Sequence, residues 1–248
     1  MTMQALAITA YVAGSIALAR PEDLALDGIL AYQALRRHFG SGFYSLPDPK
    51  ETLYFARLPL EMRGLPDARI EALSTGDIWI DREHQDNSLW YWACSSAQID
   101  VAARDTQHWN KRFDSQPALS DRIDFGGRVE KVLIEQGRYK SYHMPLPMLV
   151  TDKVTWFAYG DMEEVRELLA DIPALGKKRV QGQGAVLKWE VEAIEQDYSE
   201  WRGDTLMRPI PGPLFKGLPL DVQHIAYRAP QWHTANQAMC VVQGVKHG

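Results

Sequence analysis

The order of elements in this 248-residue chain predicts an α+β fold: a ferredoxin-like (RRM-like) core with a Gly-rich loop, an inserted excursion and an extended C-terminal tail. Three observations carry that reading. An apolar alternation of period two over 6–12 is followed by a helical stripe; a second strand-then-helix pair recurs after residue 149; and a Gly-rich basic segment joins that second helix to a last alternating strand. The order is strand, helix, strands, then strand, helix, Gly-rich loop, strand.

Leu6, Ile8, Ala10 and Val12 alternate with Ala7, Thr9 and Tyr11, as in a strand with one buried face. After Pro21, the acids Glu22 and Asp23 suit a helix N-terminus, and Ile29, Tyr32, Leu35 and Phe39 follow at steps of three and four, so a helix is expected over 23–39. Gly40 and Gly42 end it. Segments 52–60, 77–81 and 88–97 have strand composition, separated by turn-rich stretches at 62–67 and 81–87. Residues 104–124 are polar and irregular, an excursion from the main body. Strands are expected at 129–134 and at 149–159, the latter with Val154, Trp156 and Ala158 on one face. Asp161 caps a second helix with Glu164 three residues on and Met162, Val165, Leu168 and Leu169 as its stripe; Pro173 stops it. The final core strand alternates Trp189, Val191 and Ala193 with charged residues. Residues 1–194 thus read as one elaborated domain. The tail, 195–248, carries Arg208-Pro-Ile-Pro211, Pro213 and Pro219 and is expected to wrap that domain in extended segments.

Composition excludes several classes. The chain is 46% hydrophobic with 8 Trp, 10 Tyr and 7 Phe, which rules out disorder, and its 18 Gly and 14 Pro follow no collagen period. Cys94 and Cys240 are too few and too far apart for a disulfide scaffold or a zinc site, so a cytoplasmic chain with reduced thiols is expected. No apolar run reaches the roughly 18 residues of a membrane span, and no basic region precedes the N-terminal apolar stretch, so no export or membrane contact is expected. A net charge of −5 disfavours a free-standing nucleic-acid binder.

The segment 176–184 qualifies that last exclusion. Gly176, Gly182 and Gly184 allow positive φ and close approach, while Lys177, Lys178 and Arg179 supply cations for phosphates, and Gln181 and Gln183 can hydrogen-bond sugars or base edges. It is no nucleotide P-loop, because Asp171 stands where the first Gly belongs and Lys178 where Ser or Thr belongs. It is no dinucleotide fingerprint, because it leaves a helix and enters a strand. The competing reading is a solvated loop with glycines at its turns.

These residues resemble the RAMP superfamily, the RNA-binding subunits of CRISPR effector complexes, whose hallmark is such a loop between the last helix and last strand of a ferredoxin-like fold. Leu24-Ala-Leu-Asp27-Gly28-Ile-Leu30 resembles the first-helix signature of the Cas-five-like group. Trp109-Asn-Lys-Arg112-Phe-Asp114, the Tyr139-Lys140 pair, Arg208-Pro-Ile-Pro211 and Ala229-Pro-Gln-Trp232 are similar to the Cas-five-type subunit of type IV complexes. The resemblance implies a subunit that grips the 5′ handle of the guide CRISPR RNA and caps a filament of backbone subunits. A large subunit is a further implied partner, target DNA is met only indirectly, and 98–125 is the stretch that would form a thumb-like hairpin. In type IV systems cleavage belongs to a separate endonuclease, so the implied role is binding, with no cofactor.

Two further groups are candidates for RNA contact: Lys111 and Arg112 with Trp109 and Phe113, and Arg138, Tyr139, Lys140 and His143 with Tyr142. Each reads equally as a solvated turn or strand face. Arg36-Arg37-His38 fits a helix C-terminus. The seven histidines, His38, His84, His108, His143, His224, His233 and His247, show no metal-ligand or triad spacing, with His143 and then His108 the least bland. The acids at 81–86 do not match a calcium loop, so no metal is expected. The alternatives are a Cas-six-type metal-independent endoribonuclease and a structural protein-interaction subunit without RNA contact. Charge is segmental: 176–188 holds four cations (Lys177, Lys178, Arg179, Lys188) and no acid, whereas 189–204 holds six acids against Arg202. A few basic patches within an acidic chain point to a subunit of an assembly.

Overall fold

Residues 2–18, 24–46, 53–65, 78–81, 89–111, 141–216 and 221–242 are described by the computed structural model. Their elements run β1 (Met3–Val12), β2 (Ser15–Ala17), α1 (Leu26–Phe39), β3 (Leu53–Ala56), β4 (Met62–Arg63), β5 (Ile78–Asp81), β6 (Tyr91–Trp92), β7 (Gln98–Ile99), β8 (Ala103–Lys111) and β9 (Tyr142–Val150). Then follow β10 (Lys153–Asp161), α2 (Met162–Ala170), β11 (Val186–Ala193), β12 (Trp201–Arg202), β13 (Thr205–Leu206), β14 (Ile210–Pro211), β15 (Asp221–Ala226) and β16 (Gln237–Val242). The fold is mixed α/β with few helices, and every strand pairing described is antiparallel.

β1 is a central strand of a four-stranded sheet ordered β11-β1-β10-β7. Its register sets Ile8 against Trp156 on one side and Val191 on the other, and the alternation read from the sequence becomes one buried face: Leu6, Ile8, Ala10, Val154, Trp156 and Val191. α1 contributes Leu26 and Leu30 to the same core and α2 contributes Val165 and Leu169. Trp156 is wholly buried because its indole N–H donates to the Leu24 carbonyl at 2.8 Å, which satisfies the ring's one polar group. Asp161 caps α2 as its position predicts, accepting from the Glu163 and Glu164 amides at 3.1 Å.

The structure departs from the sequence expectation in three places. α1 begins at Leu26, and its core face is Leu26, Asp27, Leu30 and Gln33, one step round from the expected stripe of Ile29, Tyr32, Leu35 and Phe39. Two polar residues on the buried face concealed it. The expected strand at 149–159 is two strands, broken where the Thr151 amide turns to the Gly14 carbonyl. The excursion 104–124 is regular where described: β8 pairs with β9 over nine positions, from Ala103 opposite Val150 to Lys111 opposite Tyr142. Nearly all of β8 is exposed, so neither face had to be apolar and no alternation marked the strand. The expected strand at 129–134 lies outside the described residues.

In the tail, β14, β16 and β15 form a three-stranded sheet over a small apolar cluster of Tyr91, Leu206, Ile210, Tyr227, Cys240 and Val241. Asp27 ties it to α1. One carboxylate oxygen accepts the Ala229 amide at 2.9 Å, and the other accepts the Gly28 amide and the Gln231 side chain, each at 2.8 Å. Arg208, buried, donates to the carbonyls of Trp92, Cys94 and Tyr227 and lies 4.2 Å from the Tyr91 ring centroid. Burial pushes the Asp27 carboxyl above the usual carboxylate range, while Arg208 and the amides of Ala229 and Gly28 pull it back.

Asp27→Ala strands the buried Ala229 N–H and the Gln231 amide, so the unfolding free energy measured in urea should fall by at least about 2 kcal/mol. A carboxyl whose folded pKa lies above its unfolded value stabilises most below that unfolded value, and the contribution is lost as pH rises through the folded pKa. The stability advantage of wild type over Asp27→Asn should therefore shrink between pH 4 and pH 8. A growing advantage would show that the donors outweigh burial.

Candidate nucleic-acid interface

The loop between α2 and β11 is pinned from both sides. Ala174 pairs with Ala185 at its base, the Leu175 amide donates to the Gly184 carbonyl at 2.8 Å, the Gly184 amide to Ser15 at 2.9 Å, and the Lys177 amide to Ala17 at 2.8 Å. Two glycines make this approach to β2 possible. Gly176 (φ +76°) and Gly184 (φ +65°) are both left-handed, and a Cβ would stand 2.6 Å from the Ala17 carbonyl oxygen in the first and 2.1 Å from that of Leu175 in the second. The tip is a single 3-10 turn, Arg179–Gln181, and Lys178 before it holds the left-handed conformation at φ 58°. That conformation disfavours a residue with a Cβ by roughly 1–2 kcal/mol, and the turn spends it on aiming a cation. Val180 at the tip is fully exposed, and Gln181 beside it is exposed.

The Lys178 ammonium stands 3.1 Å from the centroid of the Trp109 ring on β8. The Trp109 ring also meets Tyr142 of β9 at 4.7 Å. One residue pair along the same strand face, Gln107 accepts from the Gln183 side chain at 3.3 Å, and Gln183 in turn accepts from the Ser15 hydroxyl at 3.1 Å. The Gly-rich loop and one face of the β8–β9 ribbon thereby form a single surface. Arg179 points the other way, its guanidinium carbon 5.6 Å from the Tyr32 ring centroid on α1.

Charge separates this surface from the rest. Arg37 is bound by Glu167 and Asp171, Arg63 by Glu61, Asp197 and Glu200, and Arg166 by Glu163. Hydrogen bonding from Arg37 holds the Asp171 carboxyl below its usual range. Lys188, counted with the basic loop in the sequence, is neutralised by Glu190 at 2.6 Å. Lys178 and Arg179 pair with no carboxylate among the described residues and meet aromatic rings instead.

Of the other sequence candidates, Lys111 ends β8 opposite Tyr142. Arg112, Phe113, Arg138, Tyr139 and Lys140 lie outside the described residues. His143 faces Asn110 across the ribbon, its Nδ1 hydrogen-bonded to the Asn110 Oδ1, and its ring stacks on His108 at 4.3 Å. Period-two alternation puts this pair on the ribbon face opposite Trp109. Spacing in the sequence hid the two-histidine pair, and it also hid Gln107, Trp109 and Tyr32 as partners of the loop. The available signal was the i, i+2 placement of Gln107 and Trp109, legible only once 103–111 is read as a strand. No group of three or more metal-ligating side chains occurs among the described residues. Burial pushes the Cys94 thiol up to about 12 and the Cys240 thiol up to about 11, which favours the protonated thiol at neutral pH. No described helix is long and apolar enough to cross a membrane.

A family model described as CRISPR type IV associated protein Csf3 matches residues 67–243, which takes in the ribbon, the Gly-rich loop and the tail sheet. No curated protein matches the chain.

Two substitutions separate the loop's geometry from its charge. Gly184→Ala places a Cβ against the Leu175 carbonyl at positive φ and should destabilise the protein by more than about 1 kcal/mol in thermal melts. Lys178→Gly removes a left-handed residue of roughly 1–2 kcal/mol cost, but gives up a cation–π contact of about 0.5–1 kcal/mol and frees the unfolded chain by a similar amount. Its melting temperature should stay within about 4 °C of wild type.

Proposed function

The chain belongs to the Csf3 family of type IV CRISPR-associated proteins, and from that premise we propose that it is the complex's guide-RNA-binding subunit. It grips the 5′ handle of the guide RNA along the surface between the Gly-rich loop and the β8–β9 ribbon and caps the filament of backbone subunits. The observation that carries this reading is the convergence of Lys178, with no carboxylate partner among the described residues, Trp109 and Gln183 on one surface. Single-stranded RNA needs cations along its backbone, aromatic faces for unstacked bases and adaptable hydrogen-bonding groups, and the surface offers all three. The strand order β11-β1-β10-β7, with α2 joining β10 to β11 and α1 falling between β1 and β7 in the chain, supports reading the core as ferredoxin-like, and with it the RAMP, Cas-five-like assignment. In the described part of 98–125, Gln98–Ile99 pairs with β10 in the main sheet while β8 is an exposed strand paired with β9, and β8 fits the thumb-like element such subunits insert into a neighbouring backbone subunit.

One observation favours a second reading. His108 and His143 are stacked, and metal-independent RNA cleavage uses histidines as general base and acid. The pair faces away from the loop, so a backbone held by Lys178 does not cross it, and binding without cleavage is the reading we adopt.

Affinity purification from cells expressing the whole operon should recover this chain with guide RNA and partner subunits; recovery of the chain alone would overturn the proposal. Replacing Lys177, Lys178 and Arg179 by Ala should weaken RNA binding and make the plot of log affinity against log salt shallower by up to about 2, since each single-strand phosphate contact contributes about 0.7. An unchanged slope would mean that the loop does not meet RNA. Repeat RNA incubated with the purified chain should stay intact, whereas cleavage abolished by His143→Ala would establish the endoribonuclease instead.

A further inference from the structure

The side of the loop turned away from the ribbon faces a cleft of about 690 Å³, bounded by α1, the 3-10 turn Gly40–Ser45 and the tail around 229–232. That volume falls in the roughly 300–1,000 Å³ of small-ligand sites. Its wall is the α1 stripe that the sequence marked as apolar: with Leu26 and Leu30 facing the core, Ile29, Tyr32 and Leu35 are left to line the cleft. Tyr32 and Phe43 meet edge to face at 5.4 Å on this wall. At the rim, Tyr44 is 75% exposed and Trp232 57% exposed. Two large aromatic rings beside an apolar cleft, both facing water, are unfavourable in isolation and favourable once something flat covers them.

Trp232 is held there. Gln231 is bonded to Asp27, and at Gly28 a Cβ would lie 2.7 Å from the Gln231 Oε1, so a side chain at residue 28 would displace the Gln231 amide. Arg179 and Arg36 border the cleft as cations, and Asp171, an acid beside them, is already bound by Arg37 at 2.7 Å and Gln33 at 3.1 Å. The site is therefore aromatic within and positive at its mouth.

We propose that this cleft receives one unstacked nucleobase of the RNA, held against Tyr44 and Trp232, with the adjoining phosphate beside Arg179. The inference rests on the RNA-binding reading above and adds a second, base-holding site to it. A nucleotide is favoured over an apolar peptide because it alone matches both halves of the site: a π face for the rings and a negative charge for Arg179 and Arg36.

The test uses the assembled complex, or the full chain, with guide RNAs carrying a single abasic position at successive places along the 5′ segment. In wild type, one position should lose about tenfold in affinity when its base is removed, because stacking on an aromatic side chain is worth about that much. In Tyr44→Ala/Trp232→Ala that position should lose no more than its neighbours, while the melting temperature and the salt slope stay unchanged. The same abasic profile in wild type and variant would overturn the proposal, as would a variant that keeps its RNA but loses a co-purifying subunit, which would make the cleft a peptide site. Absence of RNA binding by wild type would instead overturn the underlying reading.

Discussion

The close contact between the Gly-rich loop and β2 is the constraint on which the candidate interface depends. Three backbone hydrogen bonds, from Leu175, Lys177 and Gly184, hold the loop against its own base and against the strand, at a separation that excludes a Cβ at Gly176 and Gly184. These bonds fix both ends of the loop, and the tip closes on itself through the Gln181 amide to the Lys178 carbonyl and the Gly182 amide to the Arg179 carbonyl. Lys178 in the left-handed region is the consequence. It directs one cation to the ribbon while Arg179, the next residue, goes to α1.

The tail and α1 are coupled by a second constraint, the buried carboxylate of Asp27. It joins three segments that are far apart in sequence: the start of α1, the turn at 229–231 and, through the field of Arg208, the segment 92–94. Segments singled out in the sequence as separate patterns, Leu24-Ala-Leu-Asp27-Gly28, Arg208-Pro-Ile-Pro211 and Ala229-Pro-Gln-Trp232, meet here. Their shared role in the fold is structural: they seal the tail against the core and set the position of Trp232.

Legibility followed the contrast between faces. β1 and β10 bury one face and leave the other half-buried, and β11 sets a buried Val191 and a half-buried Trp189 between charged residues, so their alternation is readable, and the Asp161 cap is readable because its chemistry is local. α1 was placed but rotated, because Asp27 and Gln33 occupy its core face and their partners lie as much as two hundred residues away. β8 was missed, because a strand solvated on both sides carries no period. That omission hid most of the candidate site: the loop's residues stand together in the sequence, but Gln107, Trp109 and Tyr32 acquire meaning only from a pairing register and a tertiary contact. Net charge says little about this surface for a related reason. A count cannot tell that Lys188 is cancelled by Glu190 whereas Lys178 and Arg179 are not cancelled among the described residues.

The central claim is that guide RNA lies between the Gly-rich loop and the β8–β9 ribbon. Ultraviolet cross-linking of the purified ribonucleoprotein, followed by mass spectrometry of RNA–peptide adducts, addresses it directly. Adducts should fall on Trp109 and on the peptide spanning 176–184; adducts confined to the tail sheet or to the outer face of β11, with none on the loop or ribbon, would contradict it.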